Sequence, residues 1–146
     1  MEKIGAELRC SGQRLPKGDV WTYDDFTPGR VLGQIAVTLD GDRIEQWESI
    51  FGVVGRDRAL PRGLIVSALV EGFIRSGQPR PKGNVHASQT LFFTETVAHA
   101  GDVIAVSAEV VGRELRKAHK WVTFRLEARV ADALLCSGDF LIIWAI

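Results

Sequence analysis

Apolar and polar positions alternate along this chain with periods that change from segment to segment. Residues 33 to 39, GQIAVTL, are rich in β-branched side chains and short, as a strand requires. Residues 40 to 52, DGDRIEQWESIFG, place Ile44, Trp47, Ile50 and Phe51 at helical spacing. Asp42 followed by Glu45 fits a capping box there, and Gly52 stands where that helix ends. A loop then leads to Pro61, which suits the first turn of a long helix over about 61 to 75. That helix is apolar almost all round, except that Ser67, Glu71 and Arg75 recur every four residues as one polar stripe.

Two prolines and two glycines in SGQPRPKGN, residues 76 to 84, stop the helix, and the remainder reads as strand. Ile104, Val106, Ala108 and Val110 share one face of residues 103 to 111. Val122, Phe124, Leu126, Ala128 and Val130 alternate with Thr123, Arg125, Glu127 and Arg129 in residues 121 to 130. LLCSGDFLIIWA closes the chain with a strand apolar on both faces near its end, which predicts a central or subunit-interface position. Residues 1 to about 20 show no period and read as an irregular arm. A helix that is apolar all round needs wrapping, and the strands are the elements available to wrap it. The expectation is a single α+β domain over residues 1–146, a curved antiparallel β-sheet wrapped around one long central helix.

With 146 residues the chain is long enough to bury a core without a staple. Lysine plus arginine and aspartate plus glutamate balance at 18 each, so no overall field draws the protein to nucleic acid or to a membrane surface. Cys10 and Cys136 match no metal-ligand or redox spacing, and no signal peptide or spanning segment is visible, so a cytoplasmic chain without metal or cofactor is expected. Zero net charge with 46% hydrophobic residues favours burying apolar surface between subunits, as a homodimer or higher homo-oligomer.

Three stretches carry a family resemblance: FTPGRVLGQIAVTLDGDRIEQWESIFG, ALPRGLIVSAL and NVHASQTLFFTETVAHAGDVIAVSAEVVG, the last with Gly101 and Asp102 as a Gly-Asp pair. Over roughly residues 26 to 145 the chain resembles the MaoC-like hydratase and dehydratase family, which implies the hotdog fold. It also implies an acyl-thioester tunnel at a homodimer interface, and hydration or dehydration of a 3-hydroxyacyl thioester carried by coenzyme A or an acyl carrier protein. The family's Gly-Asp-x-Asn-Pro-x-His loop is replaced here by GVVGRDRALPRG, which keeps Asp57 but has no histidine; Arg62 stands where the central helix usually opens with one. Arginine stays protonated, so Arg62 can hold a carbonyl or phosphate but cannot serve as a general base. Hotdog thioesterases often place an acid nine positions after that histidine, which here is Glu71. Fatty-acid dehydratases place theirs where this chain has Ser67, whose hydroxyl cannot do that proton transfer.

The candidate catalytic residues are therefore Glu71, for thioester hydrolysis, and Asp57 and His86, for hydration. Glu71 has a plainer reading as an i to i+4 partner of Arg75. Arg62, Gly63 and Ser67 are the candidate substrate-binding residues, because Leu60 is no N-cap and leaves the first amides of the helix open to a thioester oxygen. Arg113, Arg116, Lys117 and Lys120, in a predicted hairpin tip, are candidates for the phosphates of the carrier, although a solvated tip is the commoner meaning of such a run. The loss of the Asp/His loop also fits a third reading, an acyl-binding or structural subunit without chemistry.

Overall fold

A computed structural model describes residues 16–53, 55 and 57–146. Of the expected arm, residues 16–20 fall in this range and are irregular, while Cys10 lies outside it. The elements in chain order are β1 (Val31–Thr38), α1 (Gly41–Phe51), α2 (Arg62–Ser76), β2 (Val85–Phe93), β3 (Val103–Arg116), β4 (His119–Val130) and β5 (Ala133–Trp144). The five strands form one antiparallel sheet in the order β1-β3-β4-β5-β2. β3, β4 and β5 follow one another through tight turns, and the first of these puts Lys117 and Ala118 at positive φ.

The alternation read from β3 and β4 is the core: Ile104, Val106, Ala108, Val110, Val122, Phe124, Leu126 and Ala128 are all buried. α2 lies over β1, β3 and β4 and adds Leu64, Ile65, Ala68, Leu69 and Phe73 to that core. Gly72 allows the close approach, since a Cβ there would sit 2.4 Å from the Cβ of Val106. Towards the C-terminal end of α2, Phe124 meets Phe26, Phe73 and Trp144 at centroid distances of 5.1, 4.9 and 6.1 Å. Phe140 joins from β5 at 5.6 Å from Phe73. Asp25 is buried beneath this group, its carboxylate accepting from the amide and hydroxyl of Thr22 at 2.9 Å each.

Several boundaries differ from the sequence reading for physical reasons. α1 is capped by Asp40, whose carboxylate accepts the Arg43 amide at 3.1 Å, and not by Asp42, which lies in its first turn. Gly52 ends α1 as expected, with φ 95. Pro61 is the N-cap of α2 and not its first helical residue. β3 runs on to Arg116, beyond a register shift between Val110 and Gly112; past that point both faces are wet and the alternation has nothing to encode. β2, by contrast, shows no period because most of it is exposed on both faces at the sheet edge. β5 sits between β4 and β2, so it is interior and not an edge.

Candidate functional site

The start of α2 is held from outside the helix. The Leu60 amide donates to the Ala98 carbonyl at 2.8 Å, and the Leu64 and Ile65 amides turn back to the Pro61 carbonyl at 3.0 and 3.3 Å. No side chain caps this end, which leaves its positive dipole facing a cavity of about 240 Å³. Arg62, Ile65, Phe93 and Glu95 are among its lining residues, and the Arg62 guanidinium lies 4.8 Å from the centre of the Phe93 ring. Cys136 is buried nearby, its thiol pushed up by burial and so poorly reactive.

Gly63 has a structural reason to be glycine. The Trp47 indole of α1 lies against it, and a Cβ would fall 2.1 Å from the ring.

The polar stripe faces the other side of α2. Glu71 accepts from Arg43 of α1 at 2.5 Å with one oxygen and from Arg75 at 3.0 Å with the other; Arg75 also donates to the Ala36 carbonyl on β1 at 3.2 Å. The stripe is thus a seam joining α2 to α1 and to the edge strand. Ser67 and Glu71 line a second cavity, of about 290 Å³, whose lining residues are separate from those of the cavity around Arg62. Burial acts to raise the Glu71 carboxyl, but the hydrogen bonds and charges of Arg43 and Arg75 outweigh it and hold the group below its ordinary value. A carboxylate clamped by two guanidiniums is a weak base and a weak nucleophile.

A folded-state value below the unfolded one means that this clamp stabilises the fold above the ordinary carboxylate range and loses its contribution as the pH falls through the folded value. Glu71→Gln is therefore expected to lower the unfolding free energy at pH about 7 by on the order of 1 kcal/mol, the scale of a part-exposed pair. The gap to the parent should narrow at a second, acid pH below the ordinary carboxylate range, where the parent is losing the same contribution. Urea titrations at the two pH values check this; a gap that widened in acid would contradict it.

The remaining candidates are dispersed. Asp57 is exposed in the α1–α2 loop, accepting the Ala59 amide at 3.2 Å in a local turn. His86 enters β2 opposite Ile142, its ring 4.6 Å from that of Phe140. Loss of solvent on that side lowers the imidazole below its ordinary value, so it is neutral at neutral pH. Phe93, the residue beneath Arg62, is at the far end of the same strand, roughly 20 Å away at the rise of a β-strand. Within one chain, then, Asp57, His86 and Glu71 do not converge.

The hairpin cations lie near the opposite end of α2 from Arg62. Arg113 donates to the Tyr23 carbonyl at 2.9 Å and lies over the Tyr23 ring, while Arg116 stacks on Trp121 at 4.2 Å and pairs with Glu114 at 3.5 Å. Those two are held in structural contacts, and Lys117 and His119 are exposed at the tip. His99 is a turn residue, its amide donating to Asp102 at 2.7 Å where Gly101 takes φ +87.

Two features escaped the sequence reading. Arg80 lies 5.0 and 5.6 Å from the Phe73 and Trp144 ring centres and donates to the Phe73 carbonyl at 3.3 Å, so a cation closes the negative end of α2. Glu95 lines the cavity at the start of α2; neither residue belongs to a periodic pattern that would have marked it.

No family model and no curated protein matches the sequence. Solved structures do. The (R)-hydratase from A. caviae involved in PHA biosynthesis is 16% identical, with 82% of this chain and 98% of that one covered at a TM-score of 0.63. The monoamine oxidase regulatory protein from Archaeoglobus fulgidus is 15% identical over 87% of this chain and 96% of that one, at 0.70. The HadBC (3R-hydroxyacyl-ACP dehydratase) complex from Mycobacterium tuberculosis is 12% identical over 80% and 96%, at 0.63. Likeness at this level of identity speaks for architecture: a curved antiparallel sheet packed around one central helix, in the strand order seen here, is the hotdog fold, and this chain has it.

Proposed function

We propose that this protein binds an acyl thioester at the start of α2, as a homodimer joined along β2, and does not itself turn the thioester over. The observation that carries the reading is the uncapped start of α2, open to a cavity that also holds the Arg62 guanidinium. Helix amides and a guanidinium suit a thioester carbonyl or a carrier phosphate. Of the groups that would supply a proton or a nucleophile, Glu71 is clamped on the opposite side of α2 and His86 is far along β2 within one chain, which leaves Glu95 as the carboxylate at the cavity to be tested. Two of the similar folds described above belong to proteins named for hydratase and dehydratase activity, which supports the substrate class and leaves the chemistry to be measured on this chain.

The dimer reading rests on the sheet edges. β1 is tied to α2 by Arg75, whereas β2 presents VHASQTLFF, with no Lys, Asp, Glu or Pro to discourage pairing. Phe92 is 64% exposed on it.

The test is to titrate the purified protein with acyl, enoyl and 3-hydroxyacyl coenzyme A esters, following thermal stability, thiol release and enoyl absorbance together. Saturable binding is expected, stabilising the fold by about 2.7 kcal/mol at ligand near 100 times Kd, without change in either chemical channel. Arg62→Ala should weaken that binding about tenfold or more, as expected on losing a charged contact. Thiol release that vanishes in Glu71→Gln or Glu95→Gln would make the protein a thioesterase, and a changing enoyl absorbance would make it a hydratase.

A further inference from the structure

The side of α2 facing away from Arg62 carries a different kind of cavity. Leu39, Trp47, Ile50 and Phe51 look across it towards Leu64 and Ser67. An amphipathic helix ordinarily buries its apolar stripe. Ile44 is the buried residue of α1, while Ile50 and Phe51 stay 74% and 66% exposed. Two props set the spacing: the Trp47 indole rests on Gly63, and the Arg43 guanidinium is tied to Glu71. Beyond these two contacts Ile50 and Phe51 stay off α2, which leaves a gap between the helices.

The chemistry of the gap limits what it can hold. Its charged lining groups, Arg43 and Glu71, are paired with each other, so an anionic guest would have to compete with Glu71 for Arg43. The Ser67 hydroxyl and the Gln46 amide have no side-chain hydrogen bond among the described residues. At about 30 Å³ for each water-sized group, its volume of about 290 Å³ accommodates on the order of ten non-hydrogen atoms.

We propose that this cavity binds an uncharged amphiphile of that size, its apolar part among Leu39, Trp47, Phe51 and Leu64 and its hydroxyl or carbonyl on Ser67 or Gln46. The site is independent of the thioester reading, because it lies on another face of α2 and shares no lining residue with the cavity around Arg62.

Octanol and octanoate are the probes, titrated into the full chain with tryptophan fluorescence and calorimetry as readouts. Octanol should bind saturably, one per chain, and octanoate about tenfold or more weakly, since its charge loses solvent and can gain Arg43 only in competition with Glu71. Ser67→Phe starts from an exposed position and fills the gap; it should abolish octanol binding while melting no lower than the parent. Arg62→Ala should leave octanol binding unchanged, which keeps this result separate from any failure of the thioester reading. The proposal is overturned by absence of saturation, by tighter binding of octanoate, by octanol binding that survives Ser67→Phe, or by its loss in Arg62→Ala. It is also overturned if a concentration-dependent dimer is abolished by Phe51→Ser, for then a second copy covers this face.

Discussion

Phe124→Ala is expected to destabilise the fold by about 3–5 kcal/mol, a large share of the roughly 5–15 kcal/mol that holds a domain of this kind together. Phe124 is fully buried on β4 and touches Phe26, Phe73 and Trp144, from the N-terminal segment, the central helix and the last strand. Removing the ring loses both its transfer energy and its contacts. The cavity left behind has little freedom to close, because its walls are aromatic rings anchored in separate elements. The Trp144 indole is itself fixed by donation to the Trp21 carbonyl at 2.7 Å. Urea denaturation of parent and variant measures the effect; a loss under about 1 kcal/mol would show that the surroundings collapse onto the space far more easily than these contacts imply.

The second large effect is on assembly. Ser88→Lys combined with Thr90→Lys is expected to convert the proposed dimer to monomer. Both positions lie on the exposed edge strand β2, in the central part of its pairing with β5. If two copies join antiparallel about Gln89, Ser88 of each copy faces Thr90 of the other, so the double variant sets lysine directly against lysine twice. Lysine on an edge strand is also a common natural guard against such pairing. Sedimentation equilibrium should show the parent mass halved, with the circular dichroism spectrum retained. A parent that is already monomeric would remove the dimer from the functional reading, and a variant that stays dimeric would place the interface elsewhere.

What the sequence revealed and what it hid follow from where each residue's partners lie. The alternation in β3 and β4 was legible because one face packs on α2 and the other meets solvent, so each side chain declares its own environment. β2 gave no such signal, having no buried face within the chain. The cap of α1 was misplaced by two residues because Asp40 and Asp42 both suit the role, and geometry alone selects Asp40. The spacing of Ser67, Glu71 and Arg75 was visible, but not the fact that Arg43 would arrive from another helix to clamp Glu71. Gly63 illustrates the same limit. In the sequence it marks an open amide at a helix start, whereas its neighbour in space, Trp47, needs the room that its missing side chain leaves. Arg80 sits among prolines and glycines, where nothing periodic announces a cation closing the end of a helix.

The strand order has a consequence for the chain as it is made. β1, α1 and α2 are synthesised before β3 and β4, which together with β1 cover the apolar side of α2. The greasiest segment of the protein therefore leaves the ribosome ahead of two of the three strands that shelter it, and its cover is incomplete until the meander behind it has emerged. For that interval Leu64, Ile65, Leu69 and Phe73 form a sticky surface open to chaperones or to other nascent copies, and the risk of misassembly is concentrated during translation.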